Sequence, residues 1–272
     1  MSLVETSWLE KNIENVKIID CSWHLPSANR NPHKEYLEEH IPSALFFDLD
    51  KNSEQDTDLP HMMPTAVEWE RIISSMGIST TDRIIVYDNS DLISSCRCWF
   101  NFLYFGHNPD LVHVLNGGLK KWKLEKKILT KKLPNIIKSN YKANERKDLV
   151  KNKSEIEKNI LNKEFDLVDA RSKERFEGVV PEPRKNMKSG CIPNSFNLPY
   201  YFLLNGDSTF KSIEELKKIF YEKIENELQT SVVFSCGSGV TAAVLALAYS
   251  LINNKYVPKL YDGSWAEYGK IK

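Results

Sequence analysis

Four short segments from the first half of this 272-residue chain return, in the same order, in the second half. Ile18-Ile19-Asp20 reappears as Leu167-Val168-Asp169, and Ile41-Pro42-Ser43 as Ile192-Pro193-Asn194. Ile85-Val86-Tyr87-Asp88 is matched, with one slip, by Val232-Val233-Phe234-Ser235-Cys236. Val114-Leu115-Asn116-Gly117-Gly118 is matched by Leu260-Tyr261-Asp262-Gly263-Ser264. The offsets run from 146 to 151 residues. A single match of this kind is uninformative, but four in order point to two copies of one domain of roughly 130 residues.

Each copy reads as α/β. Short apolar, β-branched runs, Lys17–Asp20, Ile84–Tyr87 and Leu111–Leu115 in the first half, predict buried strands. Asp166–Val168, Val232–Phe234 and Lys259–Tyr261 predict their counterparts in the second. Helical stretches lie among them. Thr65 with Glu68, and Ser212 with Glu215, fit the capping box, in which a hydroxyl and a carboxylate satisfy orphan amides at a helix start. Alternation of strand and helix implies, in each copy, a mostly parallel sheet flanked by helices on both faces. The expected division is 1–130 for the first copy, 131–152 for a basic linker and 153–272 for the second copy. From Lys120 to Lys153 there are 13 Lys and Arg against three acids, Glu125, Glu145 and Asp148. Without an interleaved aromatic platform this reads as a solvated connector rather than a nucleic-acid surface.

Composition narrows the partners. Lys+Arg and Asp+Glu are both 37, so the chain has no global field to draw it onto nucleic acid or an anionic membrane. The longest apolar run, Ala242 to Ile252, is far short of the roughly 20 residues that span a bilayer and predicts a buried helix. Met1 to Lys11 carries Glu5 and Glu10 and no apolar core, unlike a secretory signal. Five cysteines, Cys21, Cys96, Cys98, Cys191 and Cys236, suggest free thiols in a reducing compartment. The expectation is a cytoplasmic address, with an organelle reached by a weak or cleaved signal left open. Cys96-Arg97-Cys98 has one intervening residue, not the two of a redox or zinc motif, so buried thiols are expected and no metal.

The chemistry concentrates at Cys236. Val232 to Ala243 runs from strand through a tight loop into an apolar helix. Gly237 and Gly239 let successive amide N–H groups converge, and the helix beginning near Thr241 adds the positive end of its dipole. A cysteine at the mouth of such a loop is expected to be a stabilised, nucleophilic thiolate whose cradle can also hold a persulfide anion. A cysteine phosphatase would need an arginine closing the loop, yet Ala242 and Ala243 stand there and no Arg or Lys precedes Lys255. At the corresponding point of the first copy stands Asp88, without a glycine loop after it. A carboxylate cannot accept sulfur, so the first copy reads as catalytically silent and as a wall of a cleft.

The loop Cys236-Gly237-Ser238-Gly239-Val240-Thr241-Ala242 resembles the active-site loop of the 3-mercaptopyruvate sulfurtransferases, members of the two-domain rhodanese family. His40 to Asp48, Asp169-Ala170-Arg171, Pro181-Glu182-Pro183-Arg184 and Tyr261-Asp262-Gly263-Ser264-Trp265 also resemble that family. The likeness runs from about Asp20 to Tyr268. It implies two tandem rhodanese-like domains that carry sulfur on Cys236 as a persulfide. Thiosulfate sulfurtransferases carry basic residues directly after the cysteine. Neutral Gly237 and Ser238 here favour a donor with a single carboxylate. The resemblance further implies that Arg175 and Arg184 bind the donor carboxylate, with Gly237, Gly239, Val240 and Thr241 lining the same subsite. It also implies a Ser238–His61–Asp50 relay, with His61 reaching over from the silent copy to take the substrate thiol proton. Asp48 is the competitor to Asp50, and Arg171 is expected to be structural.

The implied reaction moves sulfur from 3-mercaptopyruvate through Cys236 to cyanide, a small thiol or a reduced thioredoxin-like protein, releases pyruvate, and uses no cofactor. The alternatives are a thiosulfate-preferring enzyme and a protein that delivers persulfide to a dedicated thiolation pathway. Three positions depart from the family pattern. Cys191 stands where His is usual before Ile-Pro, and Ser43 and Asn194 stand where Gly is usual.

Overall fold

A computed structural model describes residues 2–224 and 231–271. The chain forms two compact units, and neither is a continuous stretch of sequence. Unit one comprises residues 1–55, 63–146 and 205–210; unit two comprises 56–62, 147–204 and 211–272.

Unit one holds a five-stranded sheet of β1 (Leu3–Val4), β2 (Lys17–Asp20), β3 (Leu45–Phe46), β4 (Ile84–Tyr87) and β5 (Val112–Leu115). Their order is β1-β5-β4-β2-β3, and every pairing is parallel. Unit two repeats the plan with β6 (Val150–Lys151), β7 (Asp166–Asp169), β8 (Phe196–Asn197), β9 (Val232–Ser235) and β10 (Leu260–Tyr261). Its order is β6-β10-β9-β7-β8, again all parallel. The expected inner strands are present within a residue or two. The sequence pattern did not reveal β1, β3, β6 and β8, because two residues are too few to show a period.

The central strands are sealed on both faces, as parallel strands must be: all four residues of β4 and all four of β9 are buried. In unit one Ile18, Ile85, Tyr87, Leu119 and Trp122 share one cluster. In unit two Ile156, Leu167, Val233, Tyr261 and Trp265 share another. The Thr65 capping box opens helix Ala66–Ser75 with both reciprocal bonds made. The Ser212 hydroxyl and the Glu215 carboxylate cap helix Ile213–Ile224 in the same way. The apolar run forms helix Val240–Ile252, with all but three of its residues buried, as its all-round apolarity requires. Among the described residues no helix is long and apolar enough to cross a membrane.

The stretch read as a solvated linker is mostly exposed, but its backbone is tied down at several points. Ser139 N donates to Ser74 O at 3.0 Å, and Asn144 N donates to Phe105 O at 2.9 Å. Tyr141 is 1% exposed and stacks on His107. Val150 and Lys151 are already a strand of the second sheet. The lysine count masked this, because lysines can stay in water while the backbone and one tyrosine beside them are buried.

The two Ile-Pro segments form equivalent turns. Ala44 N bonds Ile41 O at 3.0 Å and Ser195 N bonds Ile192 O at 3.2 Å, with Ser43 at φ 65° and Asn194 at φ 62°. Proline followed by a left-handed residue is the type II arrangement, which explains why glycine suits both positions.

Candidate active site

The site is assembled where β9 meets the helix Val240–Ile252. Cys236 follows the last strand residue and is 2% exposed. Gly239, at φ 78°, is the N-cap, so the loop turns in a conformation that an L side chain resists. Val240 and Thr241 open the helix, where first-turn amides have no intrahelical acceptor.

The outer side of the loop is pinned by the turn of helix Ser264–Tyr268. Trp265 N donates to Cys236 O at 2.9 Å, and Ala266 N donates to Gly237 O at 3.0 Å. Across a trans peptide the N–H points opposite to the C=O. The N–H groups of Gly237 and Ser238 are therefore turned away from that helix, into the cradle. Ser264, fully buried at φ 49°, accepts from Cys236 N at 3.2 Å and donates to Tyr261 O at 2.8 Å. Neither Ser264 nor its tie to Cys236 was anticipated. The repeat offered the signal, since Ser264 aligns with Gly118, another positive-φ residue.

Two guanidinium groups face the loop. A Cβ placed on Gly237 would lie 3.2 Å from Arg175 Nη2 and 3.6 Å from Arg184 Nη1. A side chain at this position would press on both guanidinium groups. Arg184 Nη2 donates to Ser238 Oγ at 3.2 Å. His61 Nδ1 lies 2.9 Å from the same oxygen. Guanidinium is only a donor, so Ser238 Oγ accepts from Arg184, while the direction of its bond with His61 Nδ1 follows the imidazole tautomer.

Residues 56–62, although encoded in the first repeat, pack as part of unit two, where His61 is 3% exposed at φ 61°. Asp50 belongs to unit one, is exposed, and accepts Trp23 Nε1 on both oxygens at 3.0 Å. Asp48 caps a turn, accepting Lys51 N at 3.2 Å.

Behind the loop Arg171 is buried. It donates to Asp169, to Glu182 Oε1 at 2.8 Å and to Gly190 O at 2.9 Å, with Trp265 stacked on its guanidinium. Burial opposes its charge, but Asp169 and Glu182 more than offset this and raise its pKa. The structural role expected for Arg171 fits these contacts. Of the other thiols, Cys21 and Cys96 are buried and pushed well up by burial, as is Cys191 more modestly. All five cysteines are free.

Unit one carries the same brace on Asp88 instead of a cysteine. Leu119 N donates to Asp88 O at 2.9 Å, the equivalent of the bond from Trp265 to Cys236. The Asp88 carboxylate accepts Ser90 N and Ser95 N, each at 2.8 Å. It is a carboxyl tethered by its own loop, and burial raises its pKa.

Two segments, residues 5–125 and 152–270, match the family described as Rhodanese-like domain. The chain belongs to the rhodanese-like sulfurtransferases. Among members of that family, it is 36% identical to "Thiosulfate/3-mercaptopyruvate sulfurtransferase 1, mitochondrial" of Arabidopsis thaliana, over 98% of this chain and 75% of that one. It is 34% identical to the 3-mercaptopyruvate sulfurtransferase of Mus musculus, over 98% and 91% respectively. The crystal structure of the 3-mercaptopyruvate sulfotransferase SseA from Escherichia coli superposes with a TM-score of 0.87 at 31% identity, covering 98% of this chain and all of that one.

Proposed function

We propose that this sulfurtransferase takes its sulfur from 3-mercaptopyruvate. The carrying observation is the pair of guanidinium groups, Arg175 and Arg184, held against the glycine of the Cys236 loop. Two forks beside a nucleophile suit a donor with one carboxylate and an adjacent keto oxygen. In this reading Arg175 and Arg184 hold the carboxylate, and Gly237, Gly239, Val240 and Thr241 shape the subsite. The Cys236 thiolate attacks the donor sulfur. The C–S bond breaks, and its electron pair leaves on carbon as the pyruvate enolate, which the amides of Gly237 and Ser238 can help stabilise. His61 with Ser238 takes the thiol proton and returns one to the enolate carbon, giving pyruvate. A thiol, cyanide or a reduced thioredoxin-like protein then attacks the outer sulfur and frees Cys236.

Unit one is catalytically silent in this reading, because Asp88 stands where sulfur would be carried. Five free thiols fit a reducing compartment such as the cytoplasm, whereas the Arabidopsis relative carries a mitochondrial address in its name. That name also lists thiosulfate, which makes thiosulfate the second donor to test.

The test is brief mixing with 3-mercaptopyruvate, or separately with thiosulfate, followed by peptide masses and pyruvate assay. One added sulfur on the Cys236 peptide with equimolar pyruvate, absent in Cys236→Ser, is expected. Faster loading by thiosulfate would transfer the assignment to that donor, and no loading by either would overturn it.

A further inference from the structure

Glu182 bonds both Arg171, behind the loop, and Arg175, which faces it, and its side chain is 4% exposed. Its Oε1 accepts Arg171 Nη1 at 2.8 Å and Arg175 Nε at 3.2 Å, while its Oε2 accepts Arg175 Nη2 at 2.5 Å. Arg171 is immobile, with its side chain fully buried, fixed by Asp169 and Gly190 O and stacked under Trp265. Arg175 is different. Its side chain is 22% exposed, on a four-residue helix, Lys173–Phe176, that provides little rigidity of its own.

We infer that Glu182 is the positioning residue for the donor carboxylate: it transmits the fixed geometry of Arg171 to Arg175 and so aims Arg175 at the Cys236 loop. A carboxylate gripping Nε and Nη2 fixes the guanidinium plane and leaves the Nη1 edge and the second Nη2 hydrogen for a ligand. An arginine held in this way loses less side-chain entropy on binding than one swinging in water. Short fork–carboxylate bonds in a buried setting are the strong kind, so the hold persists through turnover. The inference rests on the donor reading above, in which Arg175 meets a carboxylate.

Charge and position predict opposite results when Glu182 is neutralised. Deleting a negative charge beside the subsite should by itself favour anions. Glu182→Gln also turns an amide NH2 toward donors on arginine and releases Arg175, which disfavours them. Alkylation of Cys236 separates the two effects without any turnover. Iodoacetate carries a carboxylate one carbon from the reacting centre, whereas iodoacetamide is its neutral analogue. In Glu182→Gln the iodoacetate-to-iodoacetamide rate ratio should fall about 5- to 10-fold, with the iodoacetamide rate within about 2-fold of the parent. The KM for 3-mercaptopyruvate should rise about 10-fold with kcat changed less than about 3-fold. Arg175→Lys should lower the ratio similarly, and the double variant should be no worse than Arg175→Lys alone, since one acts through the other.

A ratio that stays or rises in Glu182→Gln, or losses that multiply in the double variant, would overturn the inference. If Arg175→Lys leaves both the ratio and the KM untouched, the carboxylate reading of Arg175 fails first, and this inference fails with it. A collapse of the iodoacetamide rate would show that Glu182 serves the fold of the loop and not the clamp.

Discussion

Ser43 and Asn194 show how far a single side chain can be read. Both occupy the left-handed position of a proline-led turn, and neither is glycine. Asparagine tolerates that region, but a serine there bears a steric cost. Ser43 is exposed, so Ser43→Gly relieves the strain without touching the core. It should stabilise unit one by about 0.5 to 1 kcal/mol, read as a rise in the thermal midpoint. Asp20 is the opposite case, a buried carboxyl held by Ser22 N at 2.9 Å and the Ser22 hydroxyl at 2.5 Å. Burial, the largest influence, pushes it from 3.8 up to about 6. The folded chain thus keeps a proton that the unfolded chain has lost, and stability falls as pH rises from about 4 to about 6. The loss is about 3 kcal/mol at most. Asp20→Asn should flatten the denaturant midpoint over that window; an unchanged slope would mean that the carboxyl is ionised throughout.

At the scale of elements, the active loop depends on two helices acting from opposite sides. Helix Val240–Ile252 offers its first-turn amides, while the turn at Ser264 takes up the loop carbonyls. Gly239 leads into the first of them at φ 78°. Gly239→Ala forces an L residue into that region at a cost of about 1 to 2 kcal/mol. Part of the strain should be relieved by rotating the amides out of the cradle. Sulfur loading of Cys236 should therefore drop at least about 10-fold, more than the stability change alone would cause. Loading at the parent rate with a lowered thermal midpoint would show that the cradle tolerates the turn.

At the scale of the molecule, the duplication separates scaffold from chemistry. Both units have the same strand order and the same backbone brace, one closing on Cys236 and the other on Asp88. The second unit adds the guanidinium groups and Ser238; the first tethers its own carboxyl in the loop. Placing a thiol at position 88 therefore should not make a second carrier. In Cys236→Ser with Asp88→Cys, mass analysis after 3-mercaptopyruvate should find no stable added sulfur, and a sulfur-loaded peptide spanning position 88 would refute the account. With Cys236 as the single carrier, donor and acceptor should give parallel double-reciprocal lines, whereas intersecting lines would exclude a two-step exchange.

Much of this was legible in the sequence, because it is local or repeated. Apolar runs bounded by turn residues give the inner strands, and two capping boxes give helix starts. The recurrence of four segments gives two like units, and the strand–glycine loop–helix around Cys236 is present as read. These follow from backbone periodicity and sterics, which act over a few residues. What only the tertiary structure decided involves residues distant in sequence. It put residues 56–62, encoded inside the first repeat, into the second unit. It packed the basic stretch before residue 147 onto unit one, and it joined Glu182 to both Arg171 and Arg175. The physical reason is common to all three: a hydrogen bond or an ion pair is set by where a side chain ends in space, and chain order does not encode that.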